Sequence, residues 1–467
     1  MPATLELDED RLLPVETRTR AVARELYQSV ATLPILSPHG HIDPHLLLAD
    51  QPFSDPAELL ITRDHYITRL LHSAGVDLAA LGAGPSEADP RAIWTLLAEN
   101  WHLLAGTASG YWLTHELITL FGVDAEPSRA TADAIYDTIA SRLGDAAYRP
   151  RALFERFGIE VLATTDDPLD DLAAHAALAD DPSFTGRVLP TFRPDAYLDP
   201  MAPGFLERVE RLTATNGSAV DDFPGYLEAL EARRAHFIAH GAVSADHGVL
   251  EPYTVDLTDD EASGLYARAV AGRLDPAGAR EFRGNMLLRM AGMSARDGLV
   301  MTIHPGVLRN HSTATFDRYG PDTGHDIPVT TTYTQNLRPL LERHGLARGL
   351  HIVLFAVDET VYSREVAPLA GFYPSVFVGA PWWFLDAPDA ILRFRAAVTE
   401  TAGFYRGSGF IDDTRAFLSI PARHDMARRL DSAFLARLVG EGRITMGSAQ
   451  RIAVDLVDAV PRRAFKL

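Results

Sequence analysis

His39-Gly40-His41 sets two imidazoles one residue apart, directly after the run Pro34-Ile35-Leu36-Ser37, which has the short apolar make-up of a buried strand. On extended backbone, side chains two positions apart point to the same side, so both rings face one point, as two metal ligands must. Far along the chain, Ile411-Asp412-Asp413-Thr414-Arg415 ends another short run, Gly409 to Asp412. If the first and last runs lie side by side, Asp412 or Asp413 completes a set of two histidines and one carboxylate. Such a set suits zinc or another borderline divalent ion and leaves positions open for water or substrate. The other aspartate of the pair is expected to cap the helix that begins near Ala416.

Charge narrows what such a site would take. The 467 residues carry 43 Lys and Arg against 63 Asp and Glu, a formal charge of -20, which repels nucleic acid and anionic membrane surfaces. The same field opposes an anionic metabolite, so a carboxylate substrate needs arginines gathered locally. Arg193, Arg309 and Arg415 meet that need, falling at or just beyond expected strand ends on the histidine side, where a guanidinium can grip a carboxylate with two hydrogen bonds. Trp382 and Trp383 follow another run and are candidates for a pocket wall.

Eight short runs could position these residues: Pro34 to Ser37, Ile159 to Thr164, Arg187 to Thr191, Ala242 to Ser244, Leu299 to Ile303, His351 to Val357, Ser375 to Gly379 and Gly409 to Asp412. Helical spacing between them, at Leu169 to Ala179, Tyr333 to His344 and Ala387 to Tyr405, gives the alternation of a parallel sheet with crossover helices. Eight such units predict an α/β fold, a distorted (β/α)8 barrel, whose sites lie at the C-terminal ends of the strands. The connection from the first run to the second is too long for one crossover helix. Apolar stripes at Ile67, Leu70, Leu71 and Ala74, and at Trp94, Leu97, Trp101 and Leu104, make it an inserted helical subdomain. The expected organisation is therefore 1–44 as lead-in and first strand, 45–158 as insertion, and 159–467 as the rest of the barrel with C-terminal helices.

With no cysteine, disulfides, thiolate zinc ligands and a cysteine nucleophile are all excluded. Hydrophobic residues at 47% and charged residues at 23% fit a folded globular chain rather than a disordered one. The stretch Met1 to Asp10 is acidic, and no run reaches the length of a membrane span, so a cytoplasmic protein without membrane contact is expected. Large acidic barrel enzymes commonly associate, so a homo-oligomer is expected as well.

Longer strings add a resemblance. A first-strand His-x-His with a last-strand Asp is similar to the ligand arrangement of the amidohydrolase superfamily. Within it, the chain resembles the uronate isomerases through Arg63-Asp64-His65-Tyr66, Thr164-Thr165-Asp166-Asp167-Pro168, Phe192-Arg193-Pro194-Asp195 and Asp246-His247-Gly248. His304 with Leu308-Arg309-Asn310, Gly320-Pro321-Asp322-Thr323-Gly324, Trp382-Trp383-Phe384 and Asp413-Thr414-Arg415-Ala416-Phe417-Leu418-Ser419 continue the series in order over nearly the whole chain.

The resemblance implies His39, His41 and Asp413 as metal ligands, with His304 beside the metal as a further candidate. It implies that His65 and Tyr66 close over the substrate, His65 polarising an oxygen and Tyr66 exchanging a proton. Asp413 joins them in catalysis, and Arg193, Arg309, Arg415, His304 and Trp382 bind the substrate, a hexuronate. The implied reaction is aldose-ketose isomerisation, with one proton passing from C2 to C1 and no redox cofactor. Rival readings are a metal-dependent hydrolase of an amide, ester or lactone and a sugar-acid binding protein without catalysis. Ala356-Val357-Asp358 lacks the extra histidine common in the hydrolases, which favours a single metal, most simply Zn2+. Two departures from the family stand out: Ser37-Pro38 precedes His39, and Phe355-Ala356-Val357-Asp358-Glu359 stands where relatives carry an arginine, Arg364 coming later.

Overall fold

The computed structural model describes residues 4–467, so the first three positions of the acidic N-terminal stretch lie outside the described residues. Its strands are β1 (Ile35–Ser37), β2 (Ile159–Ala163), β3 (Arg187–Leu189), β4 (Thr191–Phe192), β5 (Ser244–Val249), β6 (Val300–Pro305), β7 (Val307–Leu308), β8 (Ile327–Pro328), β9 (Ile352–Leu354) and β10 (Val376–Val378). β1, β2 and β3 form one parallel sheet in that order, and β10, β9, β6, β5 and β4 form a second parallel sheet. Pro190, which has no N–H to donate, divides β3 from β4. The end of β2 nevertheless follows both: the Thr164 N–H donates to the Leu189 carbonyl at 2.9 Å and the Asp166 N–H to the Thr191 carbonyl at 3.0 Å. The two sheets therefore form one curved surface.

Seven of the eight expected runs contain strand, and the eighth does not. Gly409 to Asp412 is extended but pairs in no ladder; beside it the Ser408 N–H donates to the Val378 carbonyl at 2.9 Å, and Gly407 bridges to Val378. The reason is local. Gly409 has φ +76°, and a Cβ there would meet Pro461 at 2.8 Å, so the chain turns under the C-terminal helices instead of extending a sheet. The His41 N–H then donates to the Thr414 carbonyl at 3.1 Å, which brings this segment back to the chain leaving β1.

β5 also differs from expectation, beginning at Ser244 and running on to Val249 through Asp246 and His247. One polar atom of each is satisfied by the neighbouring strand, while Asp246 Oδ2 and His247 Nε2 are left without a hydrogen-bond partner: Asp246 accepts from Thr302 Oγ1 at 2.6 Å, and His247 Nδ1 is 3.0 Å from the Thr302 carbonyl. Three flanking helices are shorter than their apolar spacing suggests, the one expected from Leu169 starting only at Ala173. The one expected from Tyr333 starts at Arg338, where Pro339 suits the first turn, and the one expected to reach Tyr405 ends at Ala402 before Gly403.

Between β1 and β2 the regular elements are helices, including His65–Ser73, Pro90–Glu99, Ala108–Thr119 and Ala132–Leu143. The stripe expected to run from Trp94 to Leu104 is broken at Asn100 into a helix and a 3-10 turn, Trp101–Leu104. These helices bury Ile61, Leu71, Trp94, Leu97, Leu117 and Ile139 in one core that also takes in Ile35, Ile159, Phe417 and Ile420. Each such side chain contributes about 1.5–3 kcal/mol when fully buried, so the helical region is fastened by its own interior to β1, β2 and the segment from Phe417 to Ile420. No helix among the described residues is long and apolar enough to cross a membrane.

Candidate active site

At the C-terminal ends of the parallel strands lies a cavity of about 360 Å³, and His39, His41, His65, Tyr66, Arg193, His304, Arg309, Trp382, Asp413 and Arg415 all line it. Residues far apart in sequence meet here because His39, His41, Arg193, Arg309 and Trp382 follow strand ends, His304 lies near the end of β6, His65 and Tyr66 head a helix of the insertion, and Asp413 and Arg415 lie on the segment that returns to the chain leaving β1.

On the floor, the Nε2 atoms of His39 and His41 lie 3.4 and 3.0 Å from Asp413 Oδ1. The two histidines after β1 thus converge on one carboxylate oxygen, as their spacing predicts. His304, on β6, stacks on His39 with ring centroids 4.6 Å apart and receives the edge of Trp382 at 4.8 Å. Donor atoms of His39, His304 and Asp413 all lie within 4.8 Å of one another. His304 Nδ1 is bound to Asp246 Oδ1 at 2.6 Å, which leaves its Nε2 buried without a partner, and Asp413 Oδ1 is likewise unsatisfied. Imidazole nitrogens and a carboxylate oxygen converging on one buried point fit a divalent cation, and a carboxylate on the far nitrogen of a ligand histidine is the usual way its ring is oriented. This group can bind a metal.

Asp412 is not part of it. Its side chain faces His424 Nε2 at 3.0 Å, and the expected capping role is filled by neither aspartate: the turn Phe417–Ser419 and the helix after it begin without a side-chain cap, Thr414 Oγ1 accepting only from the Ala416 N–H at 2.9 Å. Backbone twist separates the two aspartates: Asp413 has φ 41°, in the left-handed region that non-glycine residues rarely enter. Asn310, Asp322 and Trp383, which also line the cavity, share that conformation at φ 56°, 62° and 51°. Such strain gathers at sites where the surroundings over-determine the backbone.

Burial and charge set the protonation states. Burial drives the Asp413 carboxyl upward, but His39 and His41 outweigh it and hold the group well below the usual carboxylate range. Burial lowers His41 and His304, leaving them neutral. His39 is raised, since Asp246 and Asp413 overcome burial, so a cation entering here displaces a proton the carboxylates attract.

The roof comes from the insertion. Asp64 accepts from the Tyr66 N–H at 2.8 Å and so starts the helix that carries His65 and Tyr66 at its mouth-facing end. Burial first, then Arg415, takes His65 down to about 4, and burial pushes the Tyr66 phenol up. A neutral imidazole with a buried, unpartnered Nε2 therefore stands beside a neutral phenol.

Each arginine at the mouth already faces a carboxylate: Arg193 Nε lies 2.8 Å from Asp195 and 3.5 Å from Asp246, Arg309 lies 2.9 Å from Asp326, and Arg415 lies 2.8 Å from Asp322. Arg364 does not line the cavity; it pairs with Glu365 at 2.8 Å. Where relatives were expected to carry an arginine, Phe355 instead stacks on His304 at 3.9 Å.

Sequence reasoning missed Asp246, Asp322, Asp326 and Arg423 as cavity residues. Asp246 and Asp322 sit in quoted strings and were legible there; Arg423, inside the helix Ile420–Gly440, carries no local signal.

A parallel α/β fold with a buried histidine-carboxylate group at its strand ends and arginines at the mouth defines a class, the enzymes that hold a metal beside a small anionic substrate. The family model described as glucuronate isomerase matches residues 9–460. A uronate isomerase of Corynebacterium efficiens is 52% identical over 460 residues, 98% of each chain. The crystal structure of glucuronate isomerase from Caulobacter crescentus superposes with a TM-score of 0.97 at 48% identity, covering 99% of this chain and 97% of that one. The uronate isomerase of Thermotoga maritima gives a TM-score of 0.93 at 28% identity, over 98% of this chain and 99% of that one. This chain belongs to the glucuronate isomerase family.

Proposed function

We propose that the protein is a uronate isomerase that converts D-glucuronate to D-fructuronate, D-galacturonate to D-tagaturonate, or both, by moving one proton from C2 to C1. The observation that carries this reading is one cavity in which an unprotonated carboxylate, Asp413, lies opposite a neutral His65-Tyr66 pair, ringed by Arg193, Arg309 and Arg415. The architecture fits a distorted (β/α)8 barrel of the amidohydrolase type. Residues 45–158 form its helical insertion, and the extended segment before Asp413 takes the eighth strand's place.

His39, His41 and Asp413, with His304, would hold a single divalent ion, most simply Zn2+. When bound, the ion stabilises negative charge on substrate oxygen. The arginines bind the substrate carboxylate, each exchanging a protein carboxylate for it, and Trp382 forms the wall against the sugar. His65, kept neutral by burial, donates toward the oxygen on which charge develops. The Asp413 carboxylate takes the proton from C2 and returns it at C1, while the Tyr66 phenol donates to O1 as the enediol forms and regains a proton from the O2 hydroxyl as it collapses, so both groups end as they began.

Incubation of the metal-loaded protein with glucuronate and with galacturonate in deuterated water, followed by NMR, tests the reading. Ketose formation from at least one sugar is expected. If both sugars persist while amides or lactones are cleaved, the protein is a hydrolase; if nothing in either panel reacts, it is a binder. Metal analysis of the same sample checks for one zinc per chain.

A further inference from the structure

Arg423 is only 2% exposed, yet it lines the cavity. Its guanidinium is fixed from three sides: Nη1 donates to Asp386 Oδ2 at 2.7 Å and to the Asp412 carbonyl at 3.4 Å, and Nε donates to Ser419 Oγ at 3.0 Å. Its flat face lies 3.6 Å from the Trp112 ring centre and 5.4 Å from that of Tyr66. Trp112 meets the Tyr66 ring edge-on at 5.8 Å, and His65 stacks against it at 4.8 Å.

These contacts tie together parts that no other single side chain described above joins. Asp386 follows Trp382-Trp383, Asp412 adjoins Asp413, and Tyr66 and Trp112 belong to the insertion. A buried ion pair adds little to stability over an apolar replacement, so stability alone is a weak reason for an arginine here. A planar, permanently charged fork that hydrogen-bonds in its plane and stacks on its faces is something that only arginine supplies. Its charge also offsets part of the burial that pushes the Tyr66 phenol up.

We propose that Arg423, anchored by Asp386, is a positioning residue that holds the Tyr66 ring of the insertion in register with the Asp413 carboxylate. The inference rests on the assignment of Tyr66 to proton transfer, and its test separates the two.

The test is a double-mutant cycle in kcat on the zinc-loaded full chain with glucuronate and galacturonate, using Arg423→Met, Tyr66→Phe and both together. Arg423→Met should lower kcat by up to about a hundredfold, the cost of displacing a reacting group by about an ångström. KM and zinc content should hardly move. In the Tyr66→Phe background the same change should cost no more than about twofold, the scatter of uncoupled sites. Equal fold losses in both backgrounds, or an undiminished kcat in Arg423→Met, would overturn the proposal while leaving Tyr66 in place. Full activity of Tyr66→Phe would remove the Tyr66 assignment and this inference with it. Should Arg423→Met fail to fold, Arg423→Lys and Asp386→Asn carry the same cycle, because the first keeps the charge and loses the fork geometry while the second keeps the shape and removes the charge that anchors the fork.

Discussion

The floor and the roof of the cavity are built on different physical terms. The floor consists of His304 and Asp246 on neighbouring strands with His39 and Asp413 just beyond the sheet, their side chains no more than 8% exposed and held by short contacts to one another. At the mouth the pair of Arg415 and Asp322 is looser, with side chains 44% and 38% exposed, and Arg309 is 45% exposed although its partner Asp326 is only 6% exposed. Exposed pairs contribute about 0–1 kcal/mol and exchange partners readily, whereas a buried charge stripped of its partner costs several. The floor therefore fixes where chemistry occurs, and the mouth can trade its own carboxylates for that of a substrate.

Substitutions can break this contrast. The largest effect is expected at the floor: Asp413→Asn should lower kcat by about 10⁴-fold, the upper range for losing a proton-transferring group, with circular dichroism unchanged. Retained activity would remove Asp413 from the chemistry.

The interior of the roof offers the next test. Glu116, 3% exposed, is raised to about 8 by burial, with Asp64 adding to it. Below the unfolded value of 4.5 the group is neutral in both states, but as pH rises from there toward 8 the unfolded chain ionises first, so the folded state loses stability across that window. Glu116→Gln should cancel this loss. Its thermal unfolding should match the parent near pH 4.5 and exceed it by about 3 kcal/mol near pH 8. Parallel curves at all pH values would show that Glu116 is not held neutral.

Asp246→Asn keeps the shape beside His304 but removes the charge that orients it. Zinc affinity, read by competition with a chromogenic chelator, should fall by about 10- to 100-fold, as for other groups behind a metal ligand. An unchanged affinity would mean that His304 does not ligate. The smallest effect belongs to the mouth: Asp322→Asn frees Arg415, and KM for the uronate should fall by no more than about fivefold, the worth of an exposed pair. A rise in KM would show instead that Asp322 contacts the sugar.

The floor was also the more legible of the two regions. His39 and His41 could be read because strand alternation is a local rule, and Asp413 could be read because the first and last segments of a curved parallel sheet meet. Choosing Asp413 over Asp412 needed the resemblance, since the left-handed turn that separates them is set by packing rather than by spacing. The eighth strand was misread because apolar runs do not register that Pro461 lies against Gly409. Asp246 was quoted but not recognised as a cavity residue, because its partners Thr302 and His304 lie on the neighbouring strand. Arg423 was illegible, since its partners Asp386, Trp112 and Tyr66 come from three separate parts of the chain.

The core beneath the roof closes on Phe417, Leu418 and Ile420 as well as on Ile35 and Ile159. During synthesis, then, the helices that follow β1 leave the ribosome early but must wait, with apolar faces open, until residue 420 has emerged. A nascent chain cut short before that point should expose apolar surface, and the roof expressed by itself should be less stable than within the whole chain.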